Sequence, residues 1–128
     1  MTKIWTFFKR WFIEMGSPPL FYRWSSKALV WLGVSSIIIL SLGLFMGIGL
    51  SPADYKQGDV YRIIYIHVPS AIMGESIFIF MAICGFINII WRAKISGMLL
   101  KAAAPIGMSF VLLVLTTGSI WGKPTWGT

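Results

Sequence analysis

Three long apolar runs, separated by short polar segments, dominate the hydrophobic pattern of the chain. They cover about residues 28–50, 63–91 and 102–120. The first run contains no charged residue and, at about 1.5 Å per helical residue, is long enough to cross a hydrocarbon core of about 30 Å. The second run is interrupted by Pro69 and Glu75. The pattern predicts an all-α membrane protein with three transmembrane helices.

Residues 1–27 differ from these runs because they combine aromatic with basic side chains, among them Trp5, Lys9 and Arg10. This composition is typical of an amphipathic segment that lies in the membrane surface. A cleavable signal peptide is the alternative. It is disfavoured because the first long apolar run begins only near Ala28 and no small-residue cleavage pattern follows it.

Basic residues are distributed unevenly between the segments that flank the apolar runs. The segment before the first run and the 92–101 segment are both net positive, whereas the 51–62 segment is neutral. Because positively charged flanks stay in the cytoplasm, we predict that the N-terminus and the 92–101 segment are cytoplasmic. The 51–62 segment and the residues after the third run then share the opposite side of the membrane.

The composition excludes several classes of protein. The chain is 57% hydrophobic and 12% charged, whereas soluble domains carry about 25% charged residues. Its single cysteine rules out an intrachain disulfide and the Cys-x-x-Cys-His attachment site of a c-type cytochrome. The net charge of +7 would suit nucleic acid, but basic residues beside membrane spans more often set orientation.

The chain has one histidine, His67, at the predicted outer start of the second span. Because Pro69 suits a first helical turn, the regular helix is predicted to begin at about Val68, with His67 directly before its first residue. A neutral imidazole there can bind iron, although it could equally serve only as an interfacial hydrogen-bonding group. Arg62 could pair with a haem propionate, or could snorkel or pair with Asp59 instead.

A tryptophan-glycine motif, Trp-Gly-Lys-Pro-Thr-Trp-Gly, follows the third run. Interfacial anchoring explains many membrane tryptophans, but it does not explain the interleaved glycines and proline. Glycine permits close approach of the backbone to a ligand, and proline stiffens the chain. We predict a loop over 121–128 that, together with His67, holds haem. The predicted haem-cradling residues are Trp121, Gly122, Pro124, Trp126 and Gly127.

Five stretches are distinctive when taken together, namely 51–55, 58–59, 61–69, 104–107 and 117–128. His67-Val68-Pro69 and the tryptophan motif are the most specific parts of them. Together they resemble the CcmC family of haem-handling membrane proteins, which acts in cytochrome c maturation. The resemblance covers nearly all of the chain after about residue 20.

The resemblance implies a bundle of six transmembrane helices, of which this chain is the N-terminal half. It implies non-covalent binding of haem b on the periplasmic side of the bacterial inner membrane. Two axial histidines flank a tryptophan-rich WWD loop between the third and fourth helices of the family. His67 matches the first of these ligands, Arg62 matches an arginine of the first outer loop, and residues 121–127 match the first half of the WWD motif.

The resemblance also implies partners. Family members work with the ABC transporter subunits CcmA and CcmB and the small protein CcmD, and they present haem to the chaperone CcmE. This role is haem binding and presentation, not catalysis, so we expect the chain not to be an enzyme.

The sequence departs from the family pattern in length. The rest of the WWD motif, the second histidine and three helices do not occur in these residues, so we expect a fragment, a truncated product or part of a split protein. One alternative is a structural or transporter subunit whose tryptophans only anchor it in lipid. Another is a relative of the haem-lyase-type family CcmF, against which the His67-Val68-Pro69 sequence argues.

Overall fold

The computed structural model describes residues 4–7 and 17–127, and this part of the chain contains helices but no strand. Three helical stretches of 33 residues each are long and apolar enough to cross a membrane. They run over Pro18–Leu50, Asp59–Trp91 and Lys94–Trp126. The predicted all-α fold with three membrane-crossing helices is therefore confirmed.

Residues 4–7 are helical. The first membrane-crossing helix, α1, runs over Pro18–Leu44 and continues as a π-helical segment over Phe45–Leu50. Proline suits the first turn of a helix because that turn needs no amide hydrogen. Two prolines therefore start this helix, which begins before residue 28, the predicted start of the first membrane span. Residues 1–3 and 8–16 of the predicted surface segment lie outside the described residues, and its position at the membrane surface stays a prediction.

A loop over residues 51–58 leads into a 3₁₀ turn over Asp59–Ile63 and then into α2, Ile64–Trp91. The helix thus begins before His67, and the predicted start at Val68 is wrong. Pro69 lies inside α2 instead of in its first turn, where it removes the amide that would bond to the carbonyl four residues earlier.

The turn between the second and third helices is much shorter than the predicted 92–101 loop. Arg92 ends α2 in a left-handed conformation with φ of 51°, and its amide donates to the Asn88 carbonyl at 3.0 Å. After Ala93, α3 begins at Lys94. The loop prediction failed because lysine, alanine, methionine and leucine in this segment all favour helix.

The tryptophan motif is helical, which corrects the predicted loop over 121–128. The third helix, α3, covers Lys94–Trp126 and includes Pro105 and Pro124. Gly127 closes it with φ of 73°, and its amide donates to the Lys123 carbonyl at 3.0 Å. Residue 128 lies outside the described part of the chain.

Small residues bring α2 and α3 together, while large apolar side chains cover the outside. A Cβ atom added to Gly74 would lie 3.5 Å from Phe110 Cβ, and one added to Gly107 would lie 3.2 Å from Ile77 Cγ2. Close approach of this kind is how helices associate in lipid, where no hydrophobic effect drives them together. Gly74, seven positions after His67 on α2 and buried, therefore serves helix packing.

The end of the first membrane-crossing helix packs against α2 at Gly47. A Cβ atom there would lie 2.7 Å from Tyr65 Cγ and 2.9 Å from Tyr65 Cβ. The Tyr65 hydroxyl also forms a 3.1 Å hydrogen bond with the Ser51 hydroxyl. Tyr65 is two positions before His67, so these contacts fix the start of α2 close to the histidine.

Candidate functional site

The single histidine of the chain lies where the ends of α2 and α3 meet. His67 Nδ1 is 2.9 Å from the hydroxyl oxygen of Thr117 on α3. The other ring nitrogen, Nε2, has no hydrogen-bond partner within residues 4–7 and 17–127. The imidazole is therefore held at one nitrogen and open at the other, and it is only partly buried.

Gly118 lets the imidazole approach the backbone of α3. A Cβ atom at Gly118 would lie 3.1 Å from His67 Cε1 and 3.6 Å from Nδ1, with Nε2 beyond 4 Å. The ring thus presents its Nδ1–Cε1 edge to α3. Any side chain at residue 118 would compete with the imidazole for the same space.

Two tryptophans continue the cluster from His67 along α3. The ring centroids of His67 and Trp121 are 5.6 Å apart, with the planes tilted by 59°. Trp126 follows, with its centroid 5.4 Å from that of Trp121 and the planes tilted by 56°. Trp121 is partly buried, whereas Trp126 is 65% exposed. The predicted meeting of the histidine with the first tryptophan is present in the structure.

The other members of the tryptophan motif shape the helix end around these rings. Gly122 is buried, and a Cβ atom there would lie 3.4 Å from Trp126 Cε3. Pro124 lies inside the last turn, and the Thr125 hydroxyl donates to the Trp121 carbonyl at 2.6 Å. Gly127 supplies the left-handed residue that ends the helix, a conformation that favours glycine. Whether these residues cradle haem stays a prediction.

The 51–58 loop contacts the same cluster through Gln57. The Trp121 indole Nε1–H donates to Gln57 Oε1 at 2.8 Å. The loop is itself folded around Asp54, whose Oδ1 accepts from the amides of Gln57 at 2.8 Å and Lys56 at 2.9 Å. These two hydrogen bonds, that of Gln57 first, lower the pKa of the Asp54 carboxyl below its ordinary value of 3.8 because they favour the charged form.

Arg62 is engaged within its own region of the chain. Its Nη1 is 3.2 Å from Asp59 Oδ1, and its Nε–H donates to the Ser51 carbonyl at 3.1 Å. The ion pair with Asp59, one of the alternatives for this residue, is therefore present. A guanidinium carries five N–H donors, so these two contacts leave others for an anion.

Glu75 does not join this cluster. Its side chain is exposed on α2, and it makes no hydrogen bond or ion pair within the part of the chain that the structure describes. An ionisable group inside a membrane span is costly and therefore unusual. The structure gives it no role in the site around His67.

Sequence reasoning missed three residues of the cluster: Gln57, Thr117 and Gly118. Thr117 and Trp121 are four positions apart, so a helix places both on one face. A predicted helix that continued through the tryptophan motif would therefore have placed Thr117 on the same face as Trp121, next to His67. Gln57 carried no comparable signal, because its contact depends on the fold of the loop.

Comparison with known proteins identifies the family. The family described as CcmC, Heme exporter protein C, matches residues 11–128. Heme exporter protein C of Escherichia coli strain K12 is 44% identical over 115 residues, which are 90% of this chain and 47% of that protein. The Bradyrhizobium diazoefficiens protein of the same name is 39% identical over 116 residues, covering 91% of this chain and 44% of the relative.

The Haemophilus influenzae Heme exporter protein C is 37% identical over 119 residues, covering 93% of this chain and 48% of that protein. The chain thus spans about half the length of the curated relatives it matches. These relatives are named for export and not for a reaction. Together with three membrane-crossing helices, the match shows that the chain is a multi-pass membrane protein belonging to the CcmC, Heme exporter protein C, family.

Proposed function

We propose that this chain contributes a haem-binding surface to a membrane protein that handles haem during c-type cytochrome maturation. The proposal depends mainly on the contacts of the His67 imidazole. One of its ring nitrogens is fixed by Thr117, the other has no partner among the described residues, and the ring lies beside Trp121. Family membership supports haem as the ligand, since the relatives are named as haem exporters.

The residues present fit haem. Imidazole is a common axial ligand to haem iron, and a ligating histidine usually donates its other ring N–H to a fixed acceptor. The 2.9 Å distance between His67 Nδ1 and the Thr117 hydroxyl oxygen is compatible with such a bond. The indoles of Trp121 and Trp126 add flat apolar surface beside it, which suits an apolar macrocycle.

In this proposal His67 binds iron through Nε2, and the two indoles shield the site from water. When bound, haem supplies an iron centre whose ligands can be exchanged. Gly122, Pro124 and Gly127 determine how the helix end presents the tryptophans. The remaining N–H donors of Arg62 attract the haem propionates. The haem is held without a covalent bond, so it can be passed on.

The wider setting is also part of the proposal. The charge pattern supports a cytoplasmic N-terminus and a site on the periplasmic face of a bacterial inner membrane. Both the loop that carries Gln57 and the end of α3 lie at the site, which agrees with their predicted location on one side. The partners are the ABC transporter subunits CcmA and CcmB, the small protein CcmD, and CcmE as the recipient of haem.

Haem titration of the full chain in lipid nanodiscs tests the proposal, with the Soret absorption band as the readout. We expect His67→Ala to weaken haem binding at least about tenfold, which corresponds to about 1.4 kcal/mol. Ser76→Ala is the matched control, because the Ser76 hydroxyl is exposed and bonds only to the Ile72 carbonyl of the same helix. Equal haem binding by the unmodified chain and by His67→Ala would overturn the proposal.

A further inference from the structure

Thr117 has one hydroxyl proton, and the carbonyl groups of its own helix determine which atom accepts a hydrogen bond from it. The hydroxyl oxygen lies 2.5 Å from the Leu113 carbonyl oxygen and 3.4 Å from that of Val114. A carbonyl oxygen can only accept a hydrogen bond. Two oxygens this close repel each other unless a proton lies between them. The Thr117 hydroxyl therefore donates its hydrogen bond to the Leu113 carbonyl oxygen.

The direction of the contact between Thr117 and His67 follows. Because the hydroxyl donates to Leu113, its oxygen can only accept a hydrogen bond from His67 Nδ1, which lies 2.9 Å away. A neutral imidazole has one protonated nitrogen and one with a lone pair. The proton therefore lies on Nδ1, and the lone pair lies on Nε2.

The packing around the ring agrees with this assignment. The Nδ1–Cε1 edge faces Gly118 of α3, while Nε2 lies beyond 4 Å from the position of a Cβ atom there. Nε2 also has no hydrogen-bond partner within the described ranges. The nitrogen with the lone pair is thus the one that is left open.

We propose that Thr117 is a positioning residue that selects the Nδ1–H tautomer of His67 and so prepares Nε2 as the donor atom for iron. This inference rests on the proposed function for its iron-binding part, but the tautomer itself is a property of the chain without haem. A hydrogen bond donated by the ring nitrogen that does not bind the metal, here Nδ1, also fixes the orientation of the imidazole and raises its basicity as a ligand. Two hydrogen bonds are then connected in series: His67 Nδ1–H donates to the Thr117 hydroxyl, which donates to the backbone carbonyl of Leu113.

The test uses nitrogen-15 NMR of the haem-free chain in nanodiscs. Because the chain has one histidine, both imidazole resonances belong to His67. In the neutral form of the ring we expect one protonated nitrogen, Nδ1, and one unprotonated nitrogen, Nε2. A proton found mainly on Nε2 in the unmodified chain would overturn the inference without any variant.

Variants then separate positioning from general stability. Thr117→Val keeps the shape but removes the acceptor, so we expect the tautomers to mix, whereas Thr117→Ser should keep the Nδ1–H form. Thr116→Val is the matched control, because the Thr116 hydroxyl bonds only to the Leu112 and Leu113 carbonyls of its own helix. An unchanged tautomer in Thr117→Val, or an equal change in Thr116→Val, would refute the positioning role.

Haem binding gives the second readout. Loss of such a supporting hydrogen bond typically weakens metal binding 10–100-fold, so we expect Thr117→Val to lose about that factor, with Thr117→Ser close to the unmodified chain. The haem midpoint potential should rise in Thr117→Val, because a less basic imidazole stabilises ferric iron less. If the tautomer is as inferred but His67→Ala leaves haem binding unchanged, the proposed function fails and the tautomer assignment stands.

Discussion

The indole of Trp121 on α3 is hydrogen-bonded to the side chain of Gln57 in the 51–58 loop, with 2.8 Å between Nε1 and Oε1. The two residues are far apart in sequence and lie on segments that the second helix separates. Their contact joins the loop to the tryptophan that lies beside His67. Changes in the loop can therefore reach the candidate haem site through one side chain.

Replacing Gln57 with leucine should loosen this connection. The partly buried indole N–H would lose its acceptor, which typically costs about 1 kcal/mol of stability. We expect a lower thermal unfolding temperature in detergent micelles, measured by circular dichroism, and a shifted Trp121 indole N–H resonance. Gln57→Glu keeps an acceptor and serves as the control. If leucine and glutamate give the same indole resonance as glutamine, the contact has no structural importance.

Tryptophan replacements distinguish a haem-binding surface from simple membrane anchoring. We expect Trp121→Phe and Trp126→Phe together to weaken haem binding by about tenfold, because less flat surface and one fewer N–H remain beside His67. Trp31→Phe is the control, since Trp31 on α1 is 80% exposed and suits a lipid anchor. Haem titration in nanodiscs measures the difference. Equal effects of the double variant and of Trp31→Phe would favour the anchoring alternative.

The apolar pattern was sufficient to predict three membrane helices, because apolar runs long enough to cross a bilayer are a distinctive signal. It did not predict where the helices begin and end. Pro18 and Pro19 start α1 because proline is favoured at a helix start, whereas the apolar run begins only at about residue 28. At the other end, Pro124 and two glycines suggested a loop, but Pro124 lies in the last turn of α3 and only Gly127 ends the helix.

Part of the candidate site also followed from the sequence. The charge pattern predicted that His67 and Trp121 share one side of the membrane, and in the structure their ring centroids are 5.6 Å apart. Side-chain partners could not be predicted in the same way. Thr117 meets His67 only because Gly118 lets α2 and α3 approach closely, and such packing depends on two helices at once.

Among the described glycines, Gly47 in the π-helical segment after α1 leaves the least room for an added Cβ atom. An added methyl group would lie 2.7 Å from Tyr65 Cγ, far inside van der Waals contact, so the helices would have to separate. Overpacking of this kind typically costs 1–3 kcal/mol. We expect Gly47→Ala to lower the midpoint of unfolding in a denaturing-detergent titration followed by circular dichroism.

Gly33→Ala provides the matched comparison for Gly47→Ala. Gly33 lies on α1 with nothing within 4 Å of an added Cβ atom, so its replacement should leave the midpoint unchanged or raise it slightly, since alanine favours helix more than glycine does. A similar loss of stability in both variants would mean that helix propensity, and not contact with Tyr65, explains the result.

Acid should unfold the turn around Asp54 before it affects the helices. The pKa of Asp54 is lowered in the folded loop by the amides of Gln57 and Lys56. A lowered pKa means that the stabilisation is fully present above the ordinary value of 3.8 and is lost as pH falls through the folded-state value. We expect the amide resonances of Lys56 and Gln57 to shift over that acidic range, with the Trp121 indole resonance following because Gln57 connects them.

Asp54→Asn isolates the contribution of the charge. Asparagine keeps an acceptor oxygen at the same place but does not titrate, so the acid-dependent shift of the two amides should disappear while the turn remains. The Trp121 resonance should then also become independent of pH over this range, since no other group in the connection changes charge. An acid transition of equal size in Asp54→Asn would show that a different group controls the loop, and would remove Asp54 from the path between the loop and the tryptophan.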